Sequence, residues 1–360
     1  MGNITYDMKY DKNEIVSMLN ARGADEEALM QRALATKLEH LDNNVHLRGL
    51  IEYSSVCSKN CLYCGLRSGN GHAERYTMTD AEVLDCARQA MELHYGSVAI
   101  QCGERSDKAF TDKIAYLVRE IKRLSDGQLG ITLSCGEQTE EVYRQWFEAG
   151  AHRYLLRIEA SNESLYYKIH PNDDRHSFAK RLACIDNLMK IGYQTGTGTM
   201  IGLPFQTVED MADDLLFFQR KGVAMVGMGP FIPHPETPLW QYRDIIPSVD
   251  ERLAMTMRMI AVLRLMMPEI NMVSATANQT LHPQGRSRAI KAGANVLMPN
   301  LSPTTYRRDY QIYPDKQCVD ETADRCASCL ELQMRAIGHN ILYDAWGDSK
   351  AFLKNQSKSR

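Results

Sequence analysis

Cys57, Cys61 and Cys64 stand at CxxxCxxC spacing within CSKNCLYC. Three thiolates at that spacing can hold three corners of a [4Fe–4S] cubane and leave the fourth iron without a protein ligand. An open metal position is where a substrate or cofactor binds, which separates a catalytic site from a closed structural one. The plainer readings are a zinc site short of one ligand, or three buried thiols. Placement just after the first predicted strand, with Tyr63 beside the last cysteine, favours the cluster. A second group, Cys318, Cys326 and Cys329, has the pattern CxxxxxxxCxxC. It offers three more thiolates for an auxiliary Fe–S cluster or for zinc. Cys86, Cys102, Cys135 and Cys184 are scattered and read as small buried side chains.

A second chemical signal is the run Arg153-Tyr-Leu-Leu-Arg157-Ile-Glu159. In a strand the side-chain period is two, so Arg153, Leu155, Arg157 and Glu159 share one face. The other face carries Tyr154, Leu156 and Ile158 and should meet helices. Barrel interiors are ordinarily filled with Val, Ile and Leu. Two arginines and a glutamate pointing inward imply a wet cavity and an anionic ligand. A structural Arg–Glu pair is the alternative, above all for Arg153. Neighbouring strand ends add Gly103-Glu104 and Thr132. The glycines of Thr195–Gly202 form GxGxxxG rather than a dinucleotide fingerprint, and read as room for a nucleoside against the backbone.

These residues need a scaffold. Short apolar or β-rich runs begin at Leu47, Ser97, Gly130, Arg153, Gln194, Ala224, Ile270 and Asn295, separated by helical stretches. Eight strands alternating with helices predict an α/β fold, a (β/α)8 TIM-type barrel over residues 47–300. An N-terminal helical segment, 1–46, precedes it, and a C-terminal cysteine-bearing extension, 301–360, follows. The 360 residues carry a formal net charge of −3, 44% hydrophobic and 24% charged residues. That balance argues against a nucleic-acid partner. No apolar run is long enough for a bilayer, and MGNITYDMKY lacks the apolar core of a signal peptide, so a cytoplasmic protein without membrane contact is expected.

The chain resembles the radical S-adenosylmethionine (SAM) superfamily in its cysteine loop. Within it, the chain resembles the HydE-type maturases of [FeFe]-hydrogenase, from about Arg48 to Gly347. The likeness rests on IEYSSVCSKNCLYCGLR, Gly103-Glu104, YLLR at 154–157, GLPFQT, GMGPFIPHPETPL, GANVLMPN and the tail cysteines. It implies a [4Fe–4S] cluster on Cys57, Cys61 and Cys64, with SAM on the open iron yielding a 5′-deoxyadenosyl radical. It implies Tyr63, Gly103, Glu104, Glu159, Arg181 and Met200 around SAM, with Arg181 facing its carboxylate and Tyr63 its adenine. Arg153, Arg157, Thr276 and Tyr310 take the catalytic positions. Arg48, Thr132, Met225, Ile232 and Tyr313 complete the substrate cavity, and Cys318, Cys326 and Cys329 hold a second, dispensable Fe–S cluster. The implied substrate is the cysteine-ligated Fe(CO)2(CN) product of a HydG-type enzyme. A HydF-type scaffold is the recipient, and an electron donor is a further partner. The chain departs from the family pattern at Cys102, Ile158, Ala275 and Asn278-Gln279, which bears on substrate rather than cofactor. Two alternatives are a paralogue or methylornithine-synthase-like enzyme acting on an amino-acid-derived substrate, and a non-enzymatic Fe–S scaffold. The latter has no use for a polar lumen.

Overall fold

The computed structural model describes residues 4–358. Eleven strands form one parallel system: β1 (Asn44–Leu47), β2 (Gly49–Ser54), β3 (Ser97–Cys102), β4 (Gly130–Ser134), β5 (Arg153–Leu155), β6 (Gln194–Thr197), β7 (Met200–Ile201), β8 (Met225–Pro230), β9 (Asn271–Ser274), β10 (Val296–Leu297) and β11 (Asn340–Leu342). β2 pairs with β3, and pairing continues through β4, β5, β6, β8 and β9 to β10. β10 pairs with β1, which is separated from β2 by Arg48 alone. The Arg48 and Leu50 amides donate to the Leu297 and Pro299 carbonyls, and the Leu301 amide donates back to Leu50. The circuit is therefore closed, with β1 and β2 serving as one kinked strand of an eight-stranded TIM-type barrel. Closure leaves no open edge within the ring.

Helices follow the strands because the intervening sequence starts with caps and then turns amphipathic. Thr79 and Glu82 make a reciprocal capping box at the start of Asp80–Glu92, and Thr207 does the same with Asp210 before Val208–Lys221. On β5, Tyr154 faces outward as its period requires. Its ring packs on Tyr143 and Trp146 of the helix Glu140–Glu148. The N-terminal helix Ala24–Leu41 lies against Val249–Met266 on the barrel's flank.

Gly196 in β6 and Gly198 just beyond it face neighbouring strands rather than open space for a nucleoside. A Cβ on Gly198 would come within 1.9 Å of the Gly227 carbonyl, and one on Gly196 within 2.9 Å of Met225 Cβ. Their service is close approach of neighbouring strands.

After Leu301 the chain serves both ends of the barrel. Residues 304–317 cross its mouth at the strand C-termini. β11 then joins the outer side of β1, and residues 345–349 pass beneath the strand N-termini. There Arg153 Nη1 donates to the Trp346 carbonyl, Asn271 Nδ2 to the Gly347 carbonyl, and the Ser349 amide to Gln194 Oε1. This segment is a floor that the helical periodicity of the barrel could not announce.

Candidate active site

The cysteine loop leaves β2 and is held from several sides. The Glu104 amide donates to Cys57 Sγ at 3.3 Å, and the Asn60 amide to Nε2 of the fully buried His176 at 2.9 Å. Gly103 allows this approach, since a Cβ there would meet Cys57 Cβ at 2.7 Å. Leu62 and Tyr63 rest on a small satellite core of Ala160, Leu165, Ile169, Leu203, Phe231 and Leu239. The Tyr63 hydroxyl lies 3.3 Å from His170 Nε2.

All three thiols are free and face the barrel cavity. Burial raises each pKa, that of Cys61 to about 12, so metal binding here must displace protons. A single zinc ion with bonds of about 2.3 Å holds its sulfurs within about 4.6 Å of one another. Among the described residues, only a tail group gathers three ligand atoms within 4.8 Å, so the 57/61/64 trio is too widely spaced for one ion. Three spread thiolates with an amide N–H on one sulfur fit a multi-iron cluster.

Beside the loop lies a buried quartet of charges, of which Glu104 and Arg181 were expected from the sequence and Lys59 and Glu137 were not. Lys59 Nζ reaches Glu137 Oε2 at 2.8 Å and Glu104 Oε1 at 3.1 Å, and also donates to the Arg175 carbonyl. Arg181 Nε donates to Glu137, while its Nη1 donates to the Arg157 carbonyl at 2.6 Å. Two cations and two carboxylates thereby balance. The signal was present, because Lys59 lies inside the cysteine motif and Glu137 just past β4.

The three arginines expected in the cavity have three different environments. Arg157 grips Glu159 through Nε and Nη2 at 2.8–3.0 Å. Glu159 sits at φ 66°, a left-handed conformation uncommon for a non-glycine residue, and is fixed by a bridge to Thr199. Arg153 is fully buried but lies below the cavity rather than on its wall. It donates to Asp348 Oδ1 at 2.6 Å, to the Trp346 carbonyl, and to Thr132 Oγ1 at 2.9 Å. Burial would raise the Asp348 carboxyl, but the His152 hydrogen bond and the Arg153 charge outweigh it and hold the carboxyl far below its usual range. Arg153 is thus occupied by the floor segment: it has a structural role, with Asp348 of the tail as its partner rather than the glutamate expected from the sequence. Arg48 is 3% exposed and lines the cavity. It donates to Met225 Sδ and the Gly347 carbonyl, its Nε has no partner, and no carboxylate lies within salt-bridge reach among the described residues.

The cavity has a volume of about 380 Å3. Its wall includes Cys57, Cys61, Cys64, Tyr63, Gly103, Glu104, Arg157, Glu159, Arg181 and Met200 toward the cysteine loop. Arg48, Thr132, Met225, Ile232, Thr276, Tyr310 and Tyr313 line the rest. Cys102 and Ala275 also line it, whereas Ile158 and Asn278 do not. Glu52 and Lys316 form a buried ion pair on the wall, which local patterning did not single out because the partners lie in β2 and the tail. The tail cysteines are outside the cavity. Cys318 and Cys326 share a hydrogen bond that lowers the Cys326 pKa to about 7 and raises that of Cys318. Cys329 is exposed and accepts from Gln333 Nε2 at 3.2 Å.

Comparison with known proteins agrees with this geometry. The family model of the radical SAM superfamily matches residues 51–218. The [FeFe] hydrogenase maturase subunit HydE of Thermotoga maritima is 41% identical over 332 residues, covering 92% of this chain and 91% of that protein. Among solved structures, methylornithine synthase (PylB) superposes with a TM-score of 0.79 at 22% identity, covering 93% of this chain and 96% of its own. The hydrogenase maturase HydG gives the same TM-score at 19% identity, covering 97% of this chain and 77% of its own. Those two likenesses speak for the barrel, and the sequence relationship goes further: the chain is a radical SAM enzyme that belongs to the HydE family of [FeFe]-hydrogenase maturases.

Proposed function

We propose that the chain acts in hydrogenase-cofactor assembly on an anionic, cysteine-ligated Fe(CO)2(CN) unit made by a HydG-type enzyme, and passes its product to a HydF-type scaffold. Arg48 is the observation that carries this reading. Burial and the Arg153 charge oppose the charged form of Arg48, and only Asp348, beyond salt-bridge reach, offsets them, so its place on the cavity wall is accounted for by an anion that arrives with the substrate. Arg157 cannot fill that role alone, because Glu159 already satisfies its charge. Arg153 cannot fill it either, because Asp348 does.

When bound, a [4Fe–4S] cluster and SAM supply an electron and a 5′-deoxyadenosyl radical, and the protein supplies orientation and exclusion of water. Cys57, Cys61 and Cys64 would hold the cluster. Glu104, Glu159, Arg181, Met200 and Tyr63 line the adjoining wall and would meet SAM. Lys59 and Glu137 keep Arg181 and Glu104 in register as a balanced ionic set. Thr132, Thr276, Tyr310 and Tyr313 supply hydroxyls around the remaining space. Thr276 Oγ1 accepts from Arg286 and Thr132 Oγ1 from Arg153, so both are held in fixed orientations.

The test is anaerobic. Reduced, cluster-loaded protein is given SAM with the purified HydG-type product, with free cysteine, or with neither, and 5′-deoxyadenosine is counted. Release stimulated by the iron complex above the cysteine control is expected. Equal release in all three arms would remove the substrate assignment while leaving the family intact.

A further inference from the structure

We propose that Asp214 is a positioning residue for SAM: its buried carboxylate anchors the turn at residues 159–161 from behind, and so fixes the Glu159 side chain on the cavity wall. This rests on the reading above that Glu159 meets SAM, and extends it to a residue that does not itself line the cavity. Asp214 lies in the helix Val208–Lys221 and is 1% exposed.

The turn that Asp214 holds is an unusual piece of backbone. Beyond β5 the chain keeps to its neighbour, with the Leu156 and Glu159 amides donating to the Gly196 and Gly198 carbonyls. Glu159 then takes φ 66°. A non-glycine residue keeps such a conformation only where its surroundings over-determine it. On one side the Met200 amide donates to the Glu159 carbonyl at 3.1 Å. On the other side the fastening comes from the helix. Asp214 Oδ1 accepts from the Ser161 amide at 2.8 Å, and Asp210 Oδ1 accepts from Asn162 Nδ2 at 2.7 Å. Residues four apart are neighbours on a helix surface, so the two carboxylates grip two consecutive residues of the turn.

The two grips differ in what else they do. Asp210 also completes the capping box with Thr207, which gives it a local reason to be there. Asp214 is not part of that cap, and its Oδ2 is buried without a hydrogen-bond partner, as is the Thr199 hydroxyl near it. Burial pushes the Asp214 carboxyl up to about 7, against the hydrogen bonds from Ser161. Packing the helix alone would be better served by an apolar side chain. What the carboxylate secures is the residue two before Ser161. Glu159 grips Arg157 through Nε and Nη2, and that ionic contact faces the cavity beside the cysteine loop. A turn released at Ser161 frees Glu159 to leave its place there.

The test is equilibrium dialysis of SAM against the anaerobic, cluster-loaded full chain, left unreduced so that no turnover occurs. Asp214→Ala should weaken SAM binding about tenfold, whereas Asp214→Asn, which keeps an acceptor oxygen for the Ser161 amide, should stay within about twofold of the parent. A double-mutant cycle with Glu159→Ala then separates positioning from general support of the barrel. A carboxylate that acts through Glu159 adds no further loss once that side chain is gone, while a purely structural one adds its full loss. Should the Asp214→Ala protein not fold, Asp214→Ser, polar but too short to reach the amide, takes its place in the cycle. Unchanged SAM affinity in Glu159→Ala overturns the reading of Glu159 and this proposal with it. If Glu159→Ala binds weakly, three results overturn the role of Asp214 alone: unchanged affinity in Asp214→Ala, an Asp214→Asn protein as weak as Asp214→Ala, or losses that multiply in the double variant.

Discussion

Replacing Arg48 by Met separates a side chain kept for its ligand from one kept for the fold. Met preserves most of the apolar stem and removes the charge. Because no carboxylate pairs with Arg48, its removal leaves no buried anion behind, and stability should stay level or rise slightly. Arg153→Met is the control. It strips Asp348 of its cation in a nearly closed site, a change that costs about 3 kcal/mol or more when an ion pair is broken from one side. The functional effects should run the other way. A hydrogen bond to a charged group contributes about 1.5–3 kcal/mol, which is about a 10- to 150-fold loss in turnover at low substrate for Arg48→Met. Urea unfolding followed by circular dichroism measures the first quantity, and a hydrogenase-maturation assay with limiting iron complex the second. An Arg48→Met protein as destabilised as Arg153→Met, yet with undiminished maturation, would refute the reasoning.

Three further outcomes follow from the same geometry. Cys57→Ala, Cys61→Ala or Cys64→Ala should each abolish 5′-deoxyadenosine release, since water does not replace a soft thiolate; normal release from any one of them would contradict the cluster assignment. Arg157→Lys keeps the charge but loses the fork that grips Glu159, a residue that would meet SAM, so SAM affinity should fall severalfold, as it should for Arg181→Lys; a titration showing unchanged SAM affinity in either variant would contradict its placement on the SAM side of the cavity. Asp348 has a depressed folded-state pKa, so its contribution to stability is complete above the ordinary aspartate value near 4 and is lost as pH falls through the folded value. Stability measured from pH 6 down to 3 should fall more gently in Asp348→Asn, and an unchanged slope would count against the floor ion pair.

What could be read from the chain follows the range of each interaction. The cysteine loop is local, and a spacing of a few residues carries its chemistry. The barrel was legible because strand period and helix caps are also local, and β3 begins and ends where its apolar run does. The outward face of Tyr154 followed from the same period. The partner of Arg153 did not, because Asp348 lies nearly 200 residues along and reaches β5 only after the tail has rounded the barrel. The period of two places Arg153 inward, but it cannot say whether an inward charge meets a ligand or a carboxylate of the same chain. Lys59 and Glu137 were overlooked for the same reason, since each is unremarkable until the barrel brings their loops together. Gly196 and Gly198 show a third limit: a small residue marks close approach, and only the structure tells whether strand or ligand comes close.

The tail also changes how the cavity should be understood. A TIM-type barrel normally fills its lumen with apolar side chains and places chemistry at the strand C-termini. Here the lumen is kept open for the cavity, so its lower end needs another closure. Residues 345–349 supply one, with backbone carbonyls accepting from Arg48, Arg153 and Asn271. The mouth is roofed by residues 310–316 of the same segment, held on the wall by Lys316 and Glu52. One continuous stretch of chain thereby contributes to both ends of the cavity, and partial enclosure of this kind limits the water that could intercept a carbon-centred radical. The Gly347 carbonyl accepts from Arg48 without neutralising it. The floor therefore orients the one cavity-lining cation, among the described residues, that has no carboxylate within salt-bridge reach.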